Sequence, residues 1–219
     1  MLNNDYKYKG YEFISDIGMM TPDQYIRMIH ILEEYRPKRI IELGSGQSTR
    51  IFNIYALMAN AKVISIEHDP YWLKGNGILI PLITKAQLSV CGYTFDDCQI
   101  YDGLEKWLEG QDKFDFVFID GPNDAVPTNY LHLKYSRPQI FDFPIMGKLT
   151  HDAVIMYHDS ESKIAQDTLQ EFERILREKD YTFKKEVTVE SDKEVIGYNK
   201  HHLGTCPELT TYFITTPGD

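Results

Sequence analysis

Cysteine is scarce in this chain. Cys91, Cys98 and Cys206 are an odd number in 219 residues and show no C-x-x-C spacing, so neither a disulfide framework nor a zinc knuckle is expected. A reducing compartment is the default. Excess positive charge is also missing. The 23 Lys and Arg against 33 Asp and Glu leave a formal net charge of -10, which argues against nucleic acid as a partner and against a polybasic membrane-surface helix. No apolar run approaches the roughly 20 residues needed to cross a bilayer. The start, Met1-Leu2-Asn3-Asn4-Asp5-Tyr6, lacks the basic and apolar regions of a signal peptide, so a cytoplasmic location follows by elimination. Repeats, low-complexity tracts and Gly/Ser linkers are absent, and the length lies below the roughly 250 to 300 residues at which single cores stop growing. One domain spanning residues 1–219 is expected, with residues 1–37 as an N-terminal helical segment packed on it.

What is present is a 42% hydrophobic fraction with 15 Tyr and 11 Phe, enough for a globular core. Thr21-Pro22-Asp23-Gln24 combines a capping threonine, a proline at the first helical position and a Gln three residues after the cap. Tyr25, Met28, Ile29, Leu32 and Tyr35 then share one helical face, and Pro37 ends the segment. Ile40 to Leu43 reads as a short buried strand, followed by Gly44-Ser45-Gly46-Gln47 and a helix with Ser48 as its cap. Lys62 to Glu67 is a second strand, and the stretch from Trp72, interrupted by Gly75, Gly77 and Pro81, reads as broken helix and loop. Cys98 to Tyr101 is a weak third strand before a short helix near Leu104 to Leu108. Phe114 to Ile119 and Ala153 to Tyr157 are strands too apolar to have a solvated face. Ala165, Leu169, Phe172 and Leu176 mark a helix, and pieces near Tyr181 to Val189 and Thr211 to Thr215 suit a terminal hairpin. Strands separated by such crossovers imply a mainly parallel sheet covered by helices on both faces.

In such sheets ligands bind beyond the carboxyl ends of the strands. The residues there are Gly44-Ser45-Gly46, Glu67-His68-Asp69, Asp102-Gly103, Asp120-Gly121-Pro122 and His158-Asp159. Gly44 and Gly46 let the backbone turn sharply and let a ligand approach the helix start. A dinucleotide fingerprint wants a third glycine at position 49, where Thr49 stands. Glu42, two residues before the turn, repels a pyrophosphate but suits an ammonium or sulfonium, which favours S-adenosylmethionine over NAD. Glu67 is placed to accept hydrogen bonds from ribose hydroxyls.

The runs Ile40-Ile41-Glu42-Leu43-Gly44-Ser45-Gly46-Gln47-Ser48-Thr49, Val63-Ile64-Ser65-Ile66-Glu67-His68-Asp69 and Phe116-Val117-Phe118-Ile119-Asp120-Gly121-Pro122 carry a resemblance over residues 38–160. The chain resembles the class I S-adenosylmethionine-dependent methyltransferases. It is similar to the O-methyltransferase branch that includes bacterial polysaccharide-associated and plant xylan members. The resemblance implies an α/β, Rossmann-like doubly wound fold: a mainly parallel seven-stranded sheet, helices on both faces and a C-terminal antiparallel hairpin. It also implies that Gly44 and Gly46 flank the methionine part of the cofactor, Glu67 holds the ribose and Asp102 lies near the adenine. Ser45, Gln47, Ser48 and Thr49 would line the helix start, with His68, Gly103 and Asp120 beside the cofactor. The acceptor would be a small molecule or a carbohydrate.

Methyl transfer from a sulfonium needs alignment and removal of the acceptor's proton. Asp120 closes one strand, His158 and Asp159 close its neighbour, and the three can converge. They suit either a divalent metal site, with His158 where metal-dependent O-methyltransferases carry an acid, or a metal-free centre with His158 as base and its tautomer fixed by Asp120 or Asp159. A plain turn at Asp120 and a helix cap at His158-Asp159 is the bland alternative. An NAD-dependent oxidoreductase or epimerase, and a binding module without chemistry, compete at the level of function. Tyr71 and Trp72 beside Glu67, Tyr130, His132, Tyr135 and Arg137 after the fourth strand, and the pair His201-His202 are weaker candidates.

Overall fold

The computed structural model describes residues 4–15, 20–75, 77–121, 134–135, 137–189 and 208–216. An antiparallel hairpin, β1 (Asn4–Tyr8) and β2 (Tyr11–Ser15), precedes the first helix, so residues 1–37 are not purely helical. After it come α1 (Pro22–Tyr35), β3 (Arg39–Leu43), α2 (Gln47–Ala59), β4 (Lys62–Glu67) and β5 (Ile78–Leu79). A second hairpin follows, β6 (Leu82–Val90) and β7 (Tyr93–Tyr101), then α3 (Leu104–Glu109) and β8 (Phe114–Ile119). A 3-10 turn at Pro138–Phe141 runs into α4 (Asp142–Ile145), and β9 (Leu149–His158), α5 (Lys163–Glu178), β10 (Thr182–Val189) and β11 (Glu208–Thr215) complete the chain.

The main sheet has seven strands in the order β10-β11-β9-β8-β3-β4-β5. β3 pairs in parallel with β4 and β8, β8 with β9, and β4 with β5, whereas β11 is inserted antiparallel between β9 and β10. This is the expected sheet, terminal hairpin included. Alternation along the strands separates two cores. Ile40, Phe116, Phe118, Val154 and Met156 pack against α1 and α2, with Phe52 edge-on to Phe116 and Phe118 at 5.7 and 5.6 Å. Ile41, Leu43, Val117, Ile119, Ile155 and Tyr157 face the other way, onto α3, α4, α5 and the β6-β7 hairpin.

Local signals explain the helix starts. Thr21 Oγ1 accepts from Gln24 N at 3.3 Å while Gln24 Oε1 accepts from Thr21 N at 2.9 Å, the reciprocal cap its spacing predicts. Three sequence expectations need correction. Cys98–Tyr101 is not the third strand of the main sheet; it ends β7 in a separate two-stranded sheet, and the sheet edge is the two-residue β5. The stretch read as broken helix and loop is largely that hairpin. α2 is capped at Gly46, and the Ser48 hydroxyl goes to Glu42 instead. No helix among the described residues is long and apolar enough to cross a membrane.

Candidate active site

The turn after β3 is built on a crossing of two glycines. Gly44 has φ +92°, and a Cβ there would lie 2.5 Å from Gly121 N; a Cβ on Gly121 would lie 2.6 Å from Gly44 Cα. Leu43 O accepts from both Asp120 N and Gly121 N at 2.8 Å, which ties the ends of β3 and β8 together. Gly46 is different, because a Cβ there meets nothing within 4 Å. Its bareness keeps open the space in front of α2.

Two glutamates brace this turn from below. Glu42 is fully buried and does not face the cavity, contrary to the expectation that its charge meets the ligand. Ser48 Oγ donates to one of its oxygens at 2.5 Å, and Thr49 and Ser65 donate to the other at 2.6 Å each. Burial pushes its carboxyl up to about 7, against the lowering effect of those hydroxyls. The Thr49 hydroxyl is in turn the acceptor for Gly46 N at 2.9 Å. Glu67, also buried, accepts from Ser45 N at 2.8 Å, His68 N at 2.7 Å and Asp69 N at 3.0 Å, stitching the glycine turn to the end of β4. A carboxylate has about four lone-pair positions, so Glu67 can take a further donor from the cavity side.

At the ends of β8 and β9 the expected trio does converge. His158 Nδ1 lies 2.8 Å from Asp120 Oδ1 and 3.4 Å from Asp159 Oδ1. The neighbouring helix α5 is capped by the Ser162 hydroxyl, which accepts from Ala165 N, so His158-Asp159 is not a helix cap. Asp159 instead holds a left-handed backbone at φ +55°. The fourth member is Arg137, buried at 3% exposure: Nη2 donates to Asp159 Oδ2 at 3.0 Å and lies 3.9 Å from Asp120 Oδ1, and Nη1 donates to the His158 carbonyl. Its guanidinium sits 5.6 Å from the Tyr157 ring centroid. Burial alone lowers the His158 pKa, but Asp120 and Asp159 outweigh it and hold the imidazole above the usual histidine value. Burial alone raises Asp159, and His158 and Arg137 outweigh it and hold that carboxyl below the usual carboxylate value.

One cavity of about 340 Å³ joins the two regions, near the lower end of the roughly 300 to 1,000 Å³ of small-molecule clefts. Of the residues expected from sequence, Gly44, Ser45, Gly46, Gln47, Ser48, Glu67, His68, Asp120 and Asp159 line it. Glu42 and Thr49 lie beneath the turn, and His158 is buried behind the two aspartates. Asp102 and Gly103 are outside the lining, at the end of β7, where Asp102 N donates to Pro81 O. Trp72 and Arg137 are lining residues, whereas Tyr71 and Tyr135 are not. Tyr130, His132, Pro122, Cys206 and His201-His202 fall outside the described residues. The sequence reading missed Met20 and Tyr25 as cavity walls. Tyr25 sits on the apolar face of α1, and its period marks it only as core.

No family model and no curated protein matches this sequence. Solved structures do. An O-methyltransferase from Bacillus cereus in complex with SAH aligns at 13% identity over 89% of this chain and 82% of that one, with a TM-score of 0.50. A Klebsiella pneumoniae protein assigned as an O-methyltransferase aligns at 12% identity over 92% and 84%, with a TM-score of 0.52. The chain has the class I methyltransferase fold. A Streptococcus mutans protein assigned as a SAM-dependent methyltransferase shares that fold at 14% identity and a TM-score of 0.54, covering 96% of this chain and 55% of that one. At these identities the likeness establishes architecture. Within the methyltransferase fold of this chain, the cavity opens at the carboxyl ends of β3, β4, β8 and β9, the place the fold reserves for ligands.

Proposed function

We propose that this protein transfers a methyl group from S-adenosylmethionine to a hydroxyl of a small molecule or sugar. The observation that carries the reading is that a single cavity runs from the glycine turn and Glu67 to Asp120. The donor set suits the cofactor piece by piece. The start of α2, at Gln47 and Ser48, offers the positive end of a helix to the methionine carboxylate. Glu67 offers its remaining acceptor position to a ribose hydroxyl. The open face of Gly46 admits the ligand to the backbone.

S-adenosylmethionine, when bound, supplies a methyl group already activated by its sulfonium. The chain's own task is then to align the acceptor and remove its proton. Asp120, at 30% side-chain exposure, is the carboxylate that lines the cavity, and we assign it as the group that receives the proton. The hydroxyl becomes far more acidic as its oxygen takes the methyl, so a carboxylate is a sufficient acceptor. His158 Nδ1 donates to Asp120 and fixes which way that carboxylate faces. His158 is therefore a positioning residue.

The test is release of S-adenosylhomocysteine with a panel of phenols, sugars and hydroxy acids, run beside amines and acidic carbon acceptors. The reading expects at least one acceptor that the wild type turns over and Asp120→Asn does not. A protein that binds S-adenosylhomocysteine and methylates only nitrogen or carbon acceptors contradicts the assignment to hydroxyls.

A further inference from the structure

Asp120, His158 and Asp159 offer ligand atoms within 4.8 Å of one another, the pattern of a divalent-cation site. The trio is engaged within itself and with a buried arginine. His158 presents Nδ1 to both carboxylates, and its 2.8 Å distance to Asp120 is that of a hydrogen bond. Adjacent ligands of one octahedral ion with bonds of about 2.1 Å also lie roughly 3 Å apart, so this spacing admits an ion as well as a hydrogen bond, and what decides is the charge already seated beside the trio. Because Nδ1 is turned to the acids, His158 Nε2 lies across the ring from them; it has no hydrogen-bond partner among the described residues.

A positive charge is already installed there. We propose that the Arg137 guanidinium takes the place of a divalent cation at this centre, holding Asp120 and Asp159 so that methyl transfer needs no metal. Four contacts fix it. Nη2 pairs with Asp159 at 3.0 Å and with Asp120 at 3.9 Å, Nη1 holds the carbonyl of His158, and the guanidinium lies near the Tyr157 ring. Its side chain is 2% exposed, so it is a built part of the site and not a surface ion pair. A dication binding the same two oxygens would sit against this buried guanidinium, with like charges in a medium that screens poorly. By anchoring the end of β9 through the His158 carbonyl, Arg137 also keeps Asp159 in its left-handed backbone conformation. Arg137 is thus a positioning residue. This inference rests on the methyl-transfer reading for what the site does, and on the ion-pair geometry alone for what occupies it.

The experiment titrates Mn²⁺, followed by the electron paramagnetic resonance of the free ion, into wild type, Asp159→Asn, Arg137→Met and Arg137→Lys. S-adenosylhomocysteine binding is measured on the same samples. Wild type and Asp159→Asn are expected to show the same weak titration, with no site tighter than about 100 μM. Removing the guanidinium should open the carboxylates, so Arg137→Met gains at least tenfold in Mn²⁺ affinity, while Arg137→Lys, which keeps the charge, does not. A wild-type site that holds one Mn²⁺ and is lost in Asp159→Asn overturns the proposal. So does a folded Arg137→Met protein with no gain; if that variant does not fold, the comparison of wild type with Asp159→Asn decides alone. Loss of S-adenosylhomocysteine binding across all samples would instead sink the methyltransferase reading, whichever way the Mn²⁺ data fall.

Discussion

Replacing Gly44 by alanine tests the crossing on which both halves of the site depend. At φ +92° an L side chain is strained, at a cost of about 1 to 3 kcal/mol for such a backbone. The added methyl would also meet backbone atoms of Asp120 and Gly121 at 2.5 to 2.8 Å, closer than any real contact, and backbone cannot swing aside as a side-chain tip does. Overpacking of this kind adds about 1 to 3 kcal/mol. Together these predict a loss of about 2 to 6 kcal/mol, or roughly 4 to 24 °C in melting temperature for a chain of this length. Gly46→Ala is the matched control, since its Cβ meets nothing within 4 Å and its φ of -172° is extended. That variant should melt within about 2 °C of wild type yet bind S-adenosylhomocysteine at least tenfold more weakly, because the methyl occupies ligand space. Thermal unfolding by circular dichroism and calorimetric binding separate the two effects. A Gly44→Ala protein that melts with the wild type would refute the crossing, and equal losses in both variants would refute the division of labour between the two glycines.

Burial raises Glu42 to about 7 against an unfolded value near 4.3, so its contribution to stability is full below about pH 4 and is lost as pH rises toward 7, up to about 3 kcal/mol. Glu42→Gln should remove that slope in urea unfolding between pH 5 and 7; an unchanged slope would count against the buried carboxyl. Asp142 is buried and its pKa is pushed well above the usual carboxylate value, first by burial and then by Glu105, so Asp142→Asn should stabilise the protein at pH 7 more than at pH 4. Glu67→Ala should weaken S-adenosylhomocysteine binding at least tenfold, since a hydrogen bond to a charged group is worth about 1.5 to 3 kcal/mol; wild-type affinity would refute the ribose assignment. Asp120→Asn should cut methyl transfer by about 10² to 10⁴ with cofactor affinity retained, and a fall in affinity alone would point to a binding role.

The strands that carry the site were legible because they are withdrawn from solvent, β8 almost along its whole length and β4 toward its carboxyl end. Lys62–Glu67 and Phe114–Ile119 read as continuous apolar or β-branched runs, and the residues at their ends could be taken straight from the sequence. The β1-β2 and β6-β7 hairpins were not legible, and the reason is their turns. Lys9-Gly10 and Cys91-Gly92 both have positive φ at both positions, 49° and 87°, then 46° and 88°, which is the geometry that Asn-Gly or Asp-Gly signals. With Lys and Cys in the first place that signal is hidden. β5 was illegible for another reason: two residues, paired only with Ile66 and Glu67, leave no periodicity to detect. In the site, Glu42 illustrates the limit of charge arguments from sequence. Its carboxylate reads as a ligand contact until Ser48, Thr49 and Ser65, from two different elements, are seen to consume it. Arg137 shows the converse: the long segment after the fourth strand marks it only as a weaker acceptor contact, and nothing local marks it as an arginine buried against acids at the ends of two strands.

The central claim is that the cavity between Gly44 and Asp120 is an S-adenosylmethionine site. Isothermal calorimetry of the purified protein with S-adenosylhomocysteine and with NAD tests it most directly. The account predicts one S-adenosylhomocysteine per chain with micromolar affinity, weakened in Gly46→Ala and Glu67→Ala, and no heat with NAD. Saturable NAD binding with no response to S-adenosylhomocysteine would contradict it.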